Sequence, residues 1–267
     1  MLVLDCAKQW QLIAQADHAE LSGRLAATWG AGPFAAAHPA LILAAHRHDD
    51  GWRVWDEHPL LTAQGAPMSF LEGPVPALLP SYEACAAAVA HEDMHAGLLV
   101  SMHVSGLRRG RYGCAPDSAS RSPFTQDPNE DPRIGAFVAA EERRQEQLRA
   151  TLDLPADELR HQYSQLQLLD VLSLQLCLTD LDRPGQEREL DLAPTAPGEP
   201  EIPLRLRTLG AGRVTCSPWP FLDSSLSLPV RRRLLPGGRF ATLAALRQAW
   251  REASDVEQLT IELVPGE

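Results

Sequence analysis

Lysine is almost missing from this chain: Lys8 is the only one among 267 residues, so nearly all positive charge comes from arginine. With so much alanine beside it, that bias points to genome composition and not to a lysine-based function. Basic residues are outnumbered, 24 against 35 acidic, for a formal net charge of −11. That balance excludes a general electrostatic attraction to nucleic acid or to an anionic membrane, though not a local basic patch. No Cys-x-x-Cys pair occurs. The five cysteines, Cys6, Cys85, Cys114, Cys177 and Cys216, are scattered and odd in number. This argues against a zinc ribbon, a thioredoxin-like motif and a disulfide framework, and for free thiols in a reducing cytosol. No stretch approaches the roughly 20 apolar residues that a membrane helix needs. Met1 to Gln15 contains Asp5 and Lys8 and lacks the apolar core of a signal peptide. The expectation is a cytoplasmic protein with neither nucleic acid nor membrane as partner. Also absent are a G-x-S-x-G elbow, a P-loop and a G-x-G-x-x-G turn after a strand, which disfavours serine hydrolase chemistry and the common nucleotide folds.

What is present reads mainly as helix, and 45% hydrophobic content is enough for a sizeable core. Leu2–Val3–Leu4 and Trp10–Gln11–Leu12–Ile13 have the character of two short strands. A helix is expected from about Asp17, where Asp17 and Glu20 have the spacing of a capping box. His38–Pro39 opens a second helix that runs to His48. Five prolines between Pro59 and Pro80 predict a long ordered loop. Helices follow from Ser81 to Val89 and from Asp93 to Leu107. Ala96 to Leu107 has no charged side chain apart from His103, so that helix should be buried on most sides. Gly110 to Glu130 is a Gly-, Pro- and Ser-containing excursion and a candidate lid. Further helices are expected at about 132–150 and 156–178. Beyond Asp180 the composition shifts to Pro, Gly and acidic residues. Leu204–Leu206, Arg213–Cys216 and Thr260–Leu263 then suggest strands, with a helix near 241–252. The organisation so predicted is mainly α. It comprises a helical body over residues 1–180 with short N-terminal strands, a linker over 181–203, and a small α/β appendage over 204–267 onto which the N-terminal strands could pack.

Three of these helices place a metal-ligand type on an apolar stripe. His18 is in register with Leu21, Leu25 and Trp29, and His48 with Leu41, Ala45 and Trp52, with Asp49 beside it. Asp170 lines up with Leu159, Tyr163, Leu166, Leu174 and Cys177. A lone histidine on such a face is usually a hydrogen-bonded core residue. A buried carboxylate, however, is costly unless paired or metal-bound, and three such positions argue for a shared centre. Imidazoles and carboxylates together suit one or two divalent transition ions such as Mn, Fe, Zn, Co or Ni. His103 is the preferred further ligand, with His91 and His95 as alternatives. His95 and His103 stand about 12 Å apart along a helix, too far to share one ion. His38, His58 and His161 are expected to be exposed.

Ala44–Ala45–His46–Arg47–His48–Asp49–Asp50–Gly51 resembles the signature of the HD superfamily, in which an apolar helix ends in a His-Asp doublet followed by Gly. Over residues 17–178 that resemblance implies an HD-like helical bundle. It also implies a metal held by His18, His48, Asp49 and Asp170, with Asp49 and His103 taking catalytic roles. The activity implied is a metal-dependent hydrolase acting on a small, phosphorylated molecule such as a phosphate ester or nucleotide, through a metal-bound hydroxide. Two departures stand out: Asp50 and Trp52 occupy positions where many HD hydrolases carry an apolar residue and a lysine. Arg108, Arg109 or Arg111 could contact phosphate, against the plainer reading of a solvated basic turn. Segments around His18, His48 and His103 are also similar to an uncharacterised bacterial family catalogued as a domain of unknown function. The rival expectations are a di-iron oxygenase on the same scaffold and a non-enzymatic assembly protein with a structural or vestigial site. Homo-oligomerisation is left open.

Overall fold

The computed structural model of the chain describes residues 1–73, 75–108, 131–253 and 256–266. Leu2–Asp5 (β1) and Gln9–Ile13 (β2) form an antiparallel hairpin. Helices Gln15–Thr28 (α1), Pro39–Arg47 (α2), Arg53–Asp56 (α3), Val75–Glu92 (α4), Met94–Gly106 (α5), Pro132–Leu152 (α6) and Ala156–Leu178 (α7) follow. Glu187–Ala193 (β3), Ile202–Gly210 (β4), Arg213–Ser217 (β5), Leu226–Pro236 (β6), Leu243–Glu252 (α8) and Glu257–Pro265 (β7) complete the order.

The strands make one seven-stranded sheet in the order β1-β2-β6-β7-β5-β4-β3, antiparallel throughout except for the β5–β7 pair. About 49% of the described residues are helical and 22% are strand. The fold is therefore α/β, and the expected mainly α, HD-like bundle with a small appendage is corrected. The strand that makes the difference is β6. It pairs with β7 through Leu226–Arg232 and with β2 through Arg233–Pro236, so it joins strands from the two ends of the chain. Its alternation is masked in sequence by Pro229 and by Arg231–Arg232–Arg233. Pro229 is tolerated because β2 pairs only farther along, leaving the other side of the strand free of a ladder there.

Successive strand residues point to opposite faces, and both faces are used. Leu2, Ile13, Leu204, Leu206, Leu228, Val230, Ile261 and Leu263 join Leu21, Leu41, Leu98, Leu166 and Leu172 of the helices in one core. On the other face Met1, Leu12 and Leu235 pack with Leu246 of α8.

Local differences have local causes. α1 begins at Gln15 and its N-cap, Ala14, has no capping side chain. The first-turn amides of Gln15 and Ala16 instead donate to Asp56 Oδ2, at 2.8 and 3.4 Å. Asp17 of the expected capping box is turned to Arg231. α4 starts at Val75 and carries Pro80 inside it, shortening the expected loop. Residues 187–193, within the stretch expected as a linker, form β3 at the edge of the sheet.

Candidate metal centre

His18 lies on the inward face of α1, and His48 caps the C-terminus of α2. Asp49 follows at the turn into a 3₁₀ segment, Asp50–Trp52. His103 sits near the end of α5 and Asp170 in the buried stretch of α7. All five are buried, and the structure brings them into one cluster. Ligand-type atoms of His18, His48 and Asp49 lie within 4.8 Å of one another, as do those of His48, His103 and Asp170. The rings of His18 and His103 stand 5.1 and 4.8 Å from that of His48, each roughly perpendicular to it.

Gly51 makes this packing possible. A Cβ there would lie 2.6 Å from the Ser81 carbonyl oxygen and 3.4 Å from Cys85 Cβ, so only a glycine lets the His48–Trp52 turn close onto α4. Cys85 Sγ lies 3.3 Å from the carbonyl oxygen of Arg47, and burial pushes its thiol up to about 12, a neutral packing group and not a nucleophile. Asp50, the first departure from the HD pattern, faces outward and pairs with Arg47 and Arg53.

Hydrogen bonds decide which nitrogen of each ring faces the cluster. His48 Nδ1 lies 2.8 Å from the Ala45 carbonyl oxygen, which can only accept, so Nδ1 carries a proton and a neutral ring has its lone pair at Nε2. That Nε2 stands 3.3 Å from Asp170 Oδ1 without the alignment of a hydrogen bond. Ser173 Oγ spends its one proton on the Asp170 carbonyl oxygen at 2.8 Å. Towards His18 Nδ1, at 2.9 Å, it is therefore an acceptor, and His18 Nε2 is the free face, 3.0 Å from Asp49 Oδ2. Two imidazole lone pairs thus each meet a carboxylate oxygen. Such contacts repel unless a cation lies between, either a proton or a metal ion. The outward Nδ1–H bonds to Ala45 and Ser173 are of the kind that orients metal-binding histidines.

The electrostatics agree. For His48, burial works against the charged ring, but Asp170 and Asp49 outweigh it and hold the imidazole up at about 9. Burial raises Asp49, yet the hydrogen bond to His18 and the nearby histidine charges bring it down to about 2. Asp170 is likewise lowered against its burial, chiefly by His48. His103 is pushed down to about 4 by burial and by the charge of His48. Without a metal, the proton on His48 offsets part of the carboxylate charge. A divalent ion bound there would replace it.

A family model described as a protein of unknown function (DUF3891) matches residues 1–237. The chain belongs to this family. No curated protein and no solved structure matches it. The DUF3891 match ends just after β6, so all five clustered residues lie inside it.

The other histidine and arginine candidates, and the tryptophans near the cluster, fall as follows. His95 is buried but stacks with His38 at 4.8 Å, away from the cluster, and His91 is exposed. His38 and His58 are exposed, as expected, whereas His161 is buried. Trp29 packs against Phe34 and Phe221 in the core. Trp52 and Trp55 line a small cleft with Met1, Phe70 and Leu78. Arg109, Arg111 and the Gly110–Glu130 excursion lie outside the described residues. Arg108, expected in a basic turn, is buried. Ser173 and Tyr82 were not among the expected site residues. Ser173, three residues after Asp170, was within reach of helical spacing; nothing local marked Tyr82. Among the described residues no helix is long and apolar enough to cross a membrane.

Proposed function

We propose that this DUF3891 protein is a metal-dependent hydrolase with a centre of the HD kind. The likeness to HD proteins rests on the His48–Asp49 doublet and on the arrangement of His18 and Asp170 around it. The observation that carries the reading is the pair of buried contacts in which an inward imidazole nitrogen faces a carboxylate oxygen, His18–Asp49 at 3.0 Å and His48–Asp170 at 3.3 Å. In this reading His18, His48, Asp49 and Asp170 hold one divalent transition metal, and His103 supports a second or faces the substrate. A metal there supplies Lewis acidity and lowers the pKa of a bound water. His103, held neutral by burial, keeps a ring lone pair for a metal ion or a hydrogen bond at neutral pH, and Asp49 is able to orient a donor through its second oxygen.

The test is elemental analysis of protein purified without chelator, followed by hydrolysis assays on simple phosphate mono- and diesters with the metal found. About one or two equivalents of Mn, Fe, Co, Ni or Zn, lost in folded His48→Ala and Asp49→Ala variants, together with ester hydrolysis, is the expected result. No metal even after reconstitution would sink the proposal. A predominance of iron with oxygen consumption would replace it with the oxygenase reading.

A further inference from the structure

Arg108 follows directly on α5, five residues after His103, and is 5% exposed. A guanidinium carries five N–H donors and a charge that does not titrate away. Among the described residues its one hydrogen bond is from Nη2 to Tyr82 Oη at 3.3 Å. Nε is buried with no hydrogen-bond partner, and no described carboxylate pairs with the group. The Tyr82 ring lies 5.2 Å below the guanidinium carbon, a cation–π contact that offsets only part of the cost of burying the charge. Tyr82 Oη is already an acceptor from Trp52 Nε1 at 2.8 Å, and burial holds its phenol well above the usual range, so it is neutral and adds no counter-charge.

Through Tyr82 and Trp52 this cation is linked to the turn that carries Asp49 of the candidate centre. Trp52 is three residues from Asp49 on the same turn, and the Asp49 charge is felt at Tyr82. Asp49 and Asp170 together carry two negative charges, which one divalent ion would balance. With Asp49 and Asp170 so balanced, the Arg108 charge has no counter-charge among the described residues. We infer that Arg108, backed by Tyr82 and Trp52, is an anion subsite that receives a phosphate group of the substrate next to the metal. The planar fork of Arg108 suits two oxygens of such a group. The inference rests on the proposed metal centre for its context, but anion binding itself requires no turnover.

Inorganic phosphate is the probe. Binding is measured by calorimetry on the metal-free and the Mn(II)-loaded full chain, and by broadening of the phosphate ³¹P resonance in the loaded form. Wild-type protein is expected to bind phosphate, with strong broadening when Mn(II) is present. Arg108→Gln should weaken binding by at least about tenfold while retaining bound metal, and Arg108→Lys should recover part of the loss. Circular dichroism and the thermal midpoint check that both variants fold; if Arg108→Gln does not, Arg108→Lys and Tyr82→Phe carry the test, each expected to weaken binding. Phosphate binding that depends on Arg108 in protein that hydrolyses no ester, or takes up no metal, would uphold the subsite and sink the hydrolase reading. Equal binding in wild type and folded variants, absence of phosphate binding in both forms, or displacement of phosphate by acetate at lower concentration would overturn the subsite.

Discussion

His48 Nδ1 donates to the Ala45 carbonyl oxygen at 2.8 Å, and its opposite nitrogen therefore faces Asp170 Oδ1 across 3.3 Å with no proton of its own when the ring is neutral. One backbone hydrogen bond, made by the last turn of α2, thus aims the opposite nitrogen of a buried histidine at a carboxylate. The same logic runs through Ser173 to His18, and it ties the chemistry of the centre to helix geometry.

Ser173→Ala tests that link without touching a ligand. The variant loses the acceptor of His18 Nδ1, so the ring is free to rotate or change tautomer. Metal affinity should fall by roughly 10- to 100-fold with little change in fold. Competition with a chromogenic chelator measures it, and wild-type affinity in the variant would count against the assignment of ring orientation.

The stability of the metal-free protein should peak near neutral pH. His48 is raised from 6.5 to about 9, so its contribution is full below pH 6.5 and is lost as pH rises through 9. His103 is lowered from 6.5 to about 4, so its contribution is full above pH 6.5 and is lost as pH falls through 4. Asp49, lowered to about 2, adds stability above pH 3.8 that disappears only in stronger acid. Urea midpoints between pH 4 and 9 should fall on both sides of about 6.5. His48→Gln should flatten the alkaline limb and His103→Gln the acid one; an unchanged alkaline limb in His48→Gln would refute the assignment.

Gly51→Ala should destabilise the protein by about 1–3 kcal/mol, the usual cost of overpacking. Its added methyl would meet the Ser81 carbonyl at 2.6 Å, and backbone gives way less readily than a side-chain tip. Because the strain falls on the turn that holds His48 and Asp49, metal affinity should drop as well. Denaturant midpoint and metal content, measured on the same preparation, check both parts. Wild-type values for both would show that the turn and α4 are not packed as described.

Asp56→Ala removes the group that receives the Gln15 and Ala16 amides. Loss of a cap costs about 0.5–2 kcal/mol, and the buried amides left unpaired put this case at the upper end. Amide hydrogen exchange should speed up in the first turn of α1, three residues from His18. Unchanged exchange there would count against Asp56 as the cap.

The clustering of His18, His48, Asp49, His103 and Asp170 was more legible in sequence than the fold. His18, His48 and Asp170 each stand in a run of apolar residues at helical spacing, and that spacing is a local property which survives whatever the helix packs against. The sheet was harder because its joining strand has little local signature. Pro229 breaks the expected pattern, and Arg231, Arg232 and Arg233 interrupt the apolar alternation, although Val230 and Leu235 on either side are buried. Arg108 was misread for a related reason: three arginines near a glycine look like a solvated turn, and only the approach of α4 with Tyr82 puts Arg108 inside.

By itself the sequence determined the longer helices and which of their faces are apolar, since side-chain periodicity is set by 3.6 residues per turn, but not the short α3 or the first turns of α4. It also determined that His48 and Asp49 would be neighbours at a helix end. Only the tertiary structure decided the rest: the pairing of β2 with β6, the capping of α1 by Asp56, the ring orientations set by Ala45 and Ser173, and the burial of Arg108. Except for the Ala45 contact, each depends on groups far apart in the chain. Backbone ladders and buried hydrogen bonds are satisfied by whichever partner the fold delivers, and no local pattern names that partner in advance.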